Sequence, residues 1–201
     1  MKKLIVCAGA ALLAATAPQA FAQTKNFEGF SGGLNVNFAN LKTDLAVGPV
    51  SLSGSDSSQN ASIQGQYGLA IAKNAVIGLG LTYGIGELKS GTIKAGTTTI
   101  TSKSKEIYSL NIEPGFVVSP TTLIYGKLAF QTAKGESSDG TTSSTKTFNG
   151  TSYGLGFRTF MSKNIYFQGE FVQLGLNSQT DSGVEIKPSG QLFSIGVGMK
   201  F

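Results

Sequence analysis

The stretch Phe193-Ser194-Ile195-Gly196-Val197-Gly198-Met199-Lys200-Phe201 alternates large apolar side chains with small or polar ones. A β-strand sends successive side chains to opposite faces, so Phe193, Ile195, Val197, Met199 and Phe201 share one greasy face. Ser194, Gly196, Gly198 and Lys200 share the other. Such a strand fits a boundary with oil on one side and small, wet groups on the other.

Seven further segments carry the same period of two, over residues 30–38, 62–71, 75–85, 108–116, 124–131, 151–159 and 165–172. In the third, Leu79, Leu81 and Tyr83 oppose Gly78, Gly80 and Thr82. In the sixth, Tyr153, Leu155 and Phe157 oppose Ser152, Gly154 and Arg158. Three connections, around 72–74, 119–120 and 161–164, are so short that they imply hairpins. Four others, around 40–60, 87–104, 132–149 and 175–189, are long and rich in Ser, Thr, Gly and Lys. Two of these resemble hairpins, with 45–47 facing 50–52 across Gly48 and Pro49, and 92–94 facing 98–100 across Ala95 and Gly96. The remainder is expected to be solvated loop. Alternating short and long connections on eight strands predict an all-β, eight-stranded antiparallel up-and-down barrel crossing a membrane, with turns on one side and loops on the other.

The front of the chain agrees with export. Lys2 and Lys3 precede an apolar run over 4–17, and then Pro18, Ala20, Phe21 and Ala22 fit the small-x-small cleavage pattern of a secretory signal peptide. The run falls short of the ~20 residues of a membrane-crossing helix. Cleavage after Ala22 divides the chain into a signal, 1–22, and a single barrel domain, 23–201. The lone cysteine, Cys7, falls in the signal, which leaves the domain without thiolate chemistry.

Composition narrows the class further. Charged residues make up 13% of the chain, against about 25% in ordinary soluble domains. The formal charge of +5 becomes +3 once Lys2 and Lys3 are removed, so no nucleic-acid partner is expected. Alternation alone does not say which face points outward. In a soluble lipocalin-like carrier the greasy face would turn inward, where an eight-stranded lumen holds little, and the outer face would be poor in charge for a water-facing surface. Turning the greasy face to lipid removes both difficulties.

The signal, the strand spacing, the stretches Ile112-Glu113-Pro114-Gly115-Phe116 and Tyr125-Gly126-Lys127, Glu170 and the terminal Phe201 together resemble the small eight-stranded outer-membrane barrels of the OmpA/OmpX type, within the broad family of outer-membrane β-barrel domain proteins. The resemblance implies a multi-pass protein of the bacterial outer membrane surrounded by its lipids. It also implies delivery by periplasmic chaperones to a barrel insertion machinery, which reads the assembly strand Phe193, Ile195, Val197, Met199 and Phe201. A closed lumen is implied as well. The extracellular ligand of such a protein, if it has one, stays unnamed, because this fold hosts structural proteins, adhesins, enzymes and narrow channels.

On the small-residue face, Glu113, Lys127, Arg158 and Glu170 fall on four consecutive strands near the short turns. They are expected to form a lumen layer of two acids and two bases, acting as a structural plug rather than an ion pathway. The chain contains no histidine, which removes Ser-His and His-Asp catalysis. Without His or Cys a metal centre is not expected, and no cofactor motif is found. The expected protein is therefore a non-enzymatic outer-membrane barrel with an envelope-structural or surface-interaction role. A narrow porin-like channel and a secreted soluble carrier are the alternatives.

Overall fold

The computed structural model describes residues 24–48, 50–95, 98–138, 140, 143–181 and 184–201. The expected signal, with Ala20 and Ala22, lies outside them. Among the described residues no helix is long and apolar enough to cross a membrane. The chain instead runs through β1 (Gly29–Val47), β2 (Val50–Ala72), β3 (Ala75–Ile85), β4 (Leu88–Ala95), β5 (Thr98–Ser119), β6 (Thr122–Ser138), β7 (Ser143–Phe160), β8 (Ile165–Leu176), β9 (Gln179–Asp181) and β10 (Val184–Lys200).

Neighbours follow the order β1-β2-β3-β5-β6-β7-β8-β10, and β10 pairs back onto β1, so eight antiparallel strands close a ring. β4 is bonded to β5, and β9 to β10. Closure is what hydrocarbon demands, because an open sheet edge would leave N–H and C=O groups without partners. The seam joins Ser31 to Lys200, Leu34 to Val197 and Phe38 to Phe193, so the carboxy-terminal strand zips against the first segment.

The face assignment follows from exposure. Leu34, Leu81, Leu128 and Leu155 point outward, with Leu155 69% exposed, whereas their neighbours Asn35, Gly80, Lys127 and Gly156 are buried in the lumen. Outward rings pair across strands at two levels. Phe30–Tyr67 (4.7 Å) and Phe157–Phe167 (5.8 Å) lie toward the short turns, and Tyr83–Tyr108 (5.0 Å) and Phe38–Phe193 (6.3 Å) toward the far end. These are the aromatic girdles that flank the apolar band of a membrane barrel.

The three short turns fall where the sequence puts them, but most of the long connections are not loops. A strand needs about 9–11 residues to cross the bilayer. β3 and β8 have 11 and 12, whereas β1 and β2 have 19 and 23 and run to Val47–Val50 with unbroken pairing. The expected hairpin of 45–47 with 50–52 is present, Leu45 opposite Leu52 and Val47 opposite Val50. Its flanks, like 132–138 and 143–149, are paired strand where loop is expected, because Ser and Thr tolerate extended backbone and two strands in register satisfy each other's hydrogen bonds in water as well as in lipid. In the 87–104 connection Ala95 pairs with Thr98 and Ile93 with Ile100, one step further along than the expected turn.

A bulge makes the β4–β5 hairpin possible. Glu106 sits at φ 46° and inserts one extra residue opposite β6, so even-numbered side chains point out at Tyr108 and Leu110 but in at Ser104. Gly91, at φ 144°, lies against the backbone of Gly54, where a Cβ would come 2.8 Å from the carbonyl oxygen. There β4 leans across β2, with Thr43 Oγ1 donating to the Ser90 carbonyl (2.7 Å) and Thr92 Oγ1 to Asp56 (2.8 Å). Because β3 and β8 stop at the membrane edge on opposite sides of the ring, the backbone ladder above it divides into two blades, β4-β5-β6-β7 and β9-β10-β1-β2, which these side-chain bonds of β4 join on the β3 side.

The lipid face makes a direct test. Leu155→Arg places a cation at the centre of the outward ladder of β7 and should cost about 2–4 kcal/mol. Thr145→Arg, exposed on the same strand beyond the bilayer, should stay within about 0.5 kcal/mol. Urea titration of both variants folded into vesicles checks the difference.

Candidate functional site in the barrel lumen

The interior is zoned along the barrel axis. At the short-turn end, the 3-10 turn Lys25–Phe27 tucks beneath the ring, and Phe27 packs with Val76, Val117, Leu123 and Tyr125. Its ring lies 5.3 Å from Phe160, which in turn lies 5.7 Å from Tyr166. Gly68 makes this approach possible, since a Cβ there would fall 1.9 Å from the Phe27 carbonyl oxygen. Asn26 Nδ2 donates to the Pro120 carbonyl (2.8 Å) and Lys200 Nζ to the Lys25 carbonyl, fastening the turn to both sides.

Above this apolar floor lies the charged layer. Lys127 Nζ stands 2.7 Å from Glu170 Oε2 and 3.5 Å from Glu113 Oε1. Arg158 Nη2 is 3.6 Å from Glu113 Oε2. The structure therefore brings Glu113, Lys127, Arg158 and Glu170 together, all buried. They do not form two equivalent pairs. Lys127–Glu170 is the tight one, completed by the Tyr125 hydroxyl donating to Glu170 Oε1 (2.7 Å). Glu113 lies between two cations at longer range, and its Oε2 lacks a hydrogen bond.

Arg158 is held mainly by neutral partners. Nη2 donates to Gln66 Oε1 (2.7 Å) and Gln168 Oε1 (3.3 Å), and the guanidinium lies 4.8 Å from the Tyr166 ring centroid and 5.3 Å from that of Tyr125. A weakly hydrated, planar cation between two aromatic faces is compensated for burial more readily than an ammonium would be. Gln168 links outward to Asn35 (2.6 Å) and accepts from Gln64 (2.9 Å); Asn37 accepts from Ser194 (2.7 Å). The bonds of Gln66, Gln168, Gln64 and Asn35 cross the lumen between non-adjacent strands, and Asn37–Ser194 ties the β1–β10 seam.

Gln66, Gln168, Tyr125 and Tyr166 were not singled out by charge. The signal for them is size: they are long side chains on a face otherwise made of Gly, Ser and Asn. Glycine provides their space, since a Cβ at Gly156 would sit 2.5 Å from the Tyr125 ring and one at Gly198 2.2 Å from the Tyr166 ring. The expectation of a lumen filled by small polar groups is corrected on this point. It is also corrected further out, where Leu41, Leu174 and Leu192 face inward.

A closed antiparallel ring with a lipid-facing apolar band is the architecture of a family whose sequence profile, described as "Outer membrane protein beta-barrel domain", matches residues 7–201. The chain belongs to that family. It is an integral protein of the bacterial outer membrane, embedded in membrane lipid. Among solved structures it is similar to Neisserial surface protein A, with 16% identity, 87% of this chain and 98% of that one covered, and a TM-score of 0.53. OprG from Pseudomonas aeruginosa gives 12% identity, 87% and 97% coverage, and a TM-score of 0.56. The Escherichia coli outer membrane protease OmpT is also similar, at 9% identity, 86% and 96% coverage, and a TM-score of 0.47. At such identities the likeness is one of fold. Comparison with curated protein sequences finds no significant match.

Within this family member the lumen network yields a stability prediction. Arg158→Ala removes the cation near Glu113 and should lower unfolding stability by roughly 3–5 kcal/mol. Asp44→Asn, which breaks the exposed 2.8 Å bridge to Lys42, should cost at most about 1 kcal/mol. Urea unfolding of the two variants in vesicles measures both.

Proposed function

We propose that the protein is a non-enzymatic outer-membrane barrel with a sealed lumen that presents its two outer blades to a partner outside the cell. The observation that carries this reading is the length of the outer strands. β1 and β2 continue in paired register roughly 30 Å of strand beyond what a bilayer crossing needs. A chain required only to span the membrane could end these strands at the headgroups, where β3 and β8 leave the ring.

The blades are ordered by their own contacts. Lys105 bridges Glu136 (2.6 Å) and Glu87 (2.9 Å), and Lys103 also reaches Glu87 (3.0 Å). Together these lysines, Lys105 first, hold the Glu87 carboxyl below the usual carboxylate range. Each exposed bridge contributes little alone, but they share partners across the β3–β4 link, β5 and β6. A surface already fixed in shape loses less entropy when it binds.

Against a channel stands the lumen itself, where Phe27, the Arg158 layer and the Lys127–Glu170 pair follow one another along the axis. Against catalysis stands the pairing of Glu113 and Glu170 with buried cations instead of an open cleft. The plug role of Glu113, Lys127, Arg158 and Glu170 belongs to this proposal. So do removal of residues 1–22 as a signal, passage by periplasmic chaperones, and recognition of Phe193, Ile195, Val197, Met199 and Phe201 by the insertion machinery.

The decisive experiment shortens β1–β2 and β6–β7 to the membrane edge while retaining heat-modifiable mobility of the barrel, and measures adhesion of cells to surfaces coated with serum or matrix protein. Adhesion should fall with the blades, and the intact protein should give no steady conductance in planar bilayers. Unchanged adhesion together with new detergent sensitivity would move the role to envelope structure, and charge-selective conductance would move it to a channel.

Assembly is tested separately. Deleting Phe201 removes an outward aromatic whose backbone N–H donates to the Phe30 carbonyl (2.9 Å) at the seam. The truncated chain should accumulate in the periplasm, and cell fractionation followed by immunoblotting reads the distribution.

A further inference from the structure

The outer half of the lumen holds a partly open cavity of about 100 Å³, and its wall adds apolar side chains to the polar groups found below. Following the inward positions of β8 away from the short turns gives Tyr166, Gln168 and Glu170, then Val172, Leu174 and Leu176. On β1, Asn35 and Asn37 give way to Ala39 and Leu41, and on β10, Ser194 gives way to Leu192. β4 adds Leu88 from across the lumen, and the Glu106 bulge ends a run of polar inward positions at Ile107.

These apolar groups are not packed to completion. Ile107, Leu174 and Leu192 point inward yet remain partly exposed, each facing the same void. A side-chain core serving only to seat β4 would close over them, since unfilled apolar volume in a core is destabilising. The base of the cavity is polar, with Asn37, Ser62, Gln64, Ser152 and Ser194 beside the Lys127–Glu170 pair. Glu113 and Glu170 offset Lys127 and Arg158, so this base carries no net charge. The outermost lining residues, Leu176, Pro188 and Ser189, lie where β8 stops and the two blades separate.

We propose that this cavity is a binding site for a small neutral amphiphile, an aromatic or branched-alkyl alcohol. Its apolar body would lie among Leu41, Leu88, Val172, Leu174 and Leu192, and its hydroxyl would exchange hydrogen bonds with the Ser and Asn groups of the base. A closed apolar cavity of about 150 Å³ accommodates benzene; this void is smaller but open on its outer side, which limits the ligand to about one six-membered ring whose far edge reaches the mouth between the blades. A full charge is disfavoured because a neutral base in a poorly hydrated space does not repay its desolvation. The site takes Leu88 from β4, but its readout is ligand binding and not adhesion, so it stands or falls apart from the adhesion reading.

The test uses the full barrel in lipid nanodiscs with 4-fluorobenzyl alcohol as the probe, followed by fluorine NMR. The expected result is a saturable component above lipid partitioning, with intermolecular NOEs to the methyl groups of Leu88, Val172 and Leu174. 4-Fluorobenzylammonium and 4-fluorobenzoate should bind at least tenfold more weakly. Filling the cavity by Leu192→Trp, or more gently by Ala133→Leu, should weaken binding at least tenfold in protein that keeps heat-modifiable mobility, while lipid-facing Leu155→Trp leaves it unchanged. The proposal is overturned if the wild-type protein shows no saturable component, if its NOEs reach only outward residues, if a charged analogue binds as well as the alcohol, or if binding survives either filling substitution in folded protein.

Discussion

Backbone hydrogen bonding in hydrocarbon is the constraint on which the structure depends. An unpaired N–H or C=O costs several kcal/mol where no water can reach it, so the sheet must return to its own first strand. The run from Ser31–Lys200 to Ala46–Glu185 accomplishes this, and most other features follow. Closure makes an inside and an outside, period two sends alternate residues to each, and every inward position must fit the space left by seven other strands. The small residues of the inner face are therefore packing choices made in response to particular neighbours, as Gly156 is to Tyr125 and Gly198 to Tyr166.

Inside that wall the problem becomes one of desolvation. Four charged groups brought into a narrow lumen are tolerable only as a neutral set with hydrogen-bonding support. Lys127 and Glu170 meet this condition directly. Arg158 meets it through Gln66, Gln168 and two tyrosine rings, and Glu113 meets it least, with one oxygen lacking a hydrogen bond. The layer thus holds the barrel together asymmetrically, and its weakest member lies on β5, the strand that also carries the outer bulge.

The membrane-embedded part was legible in the sequence because period two is a strong signal when one face meets lipid. Strand order, the three short turns, the outward set around Leu79 and Leu155 and the gathering of the four charges all follow from it. Above the bilayer both faces meet water and alternation fades, which is why the flanks of the 45–52 hairpin and residues 132–138 and 143–149 read as loop although they pair as strand. The Glu106 bulge has no local marker, since Glu is an unusual choice for positive φ. Phe27 precedes the first alternating segment, and only the space at Gly68 shows where it goes. The apolar outer lumen was masked differently: Val172 and Leu174 face inward on a strand whose outward residues are also apolar, so hydrophobicity alone does not separate the faces there.

The two short strands give the molecule a mechanical character. Below the membrane edge the ring is a closed hoop, stiff because each strand is bonded on both sides. Above it, each blade stands on three ring strands, and among the described residues no ladder joins one blade to the other at the β7 margin. A load applied to the blade tips therefore acts as a bending moment about the ends of β3 and β8, where the hoop resists it, rather than as a pull on the charged layer below. Each blade passes force on as a unit fixed by its own ladder, and the ring below takes it up.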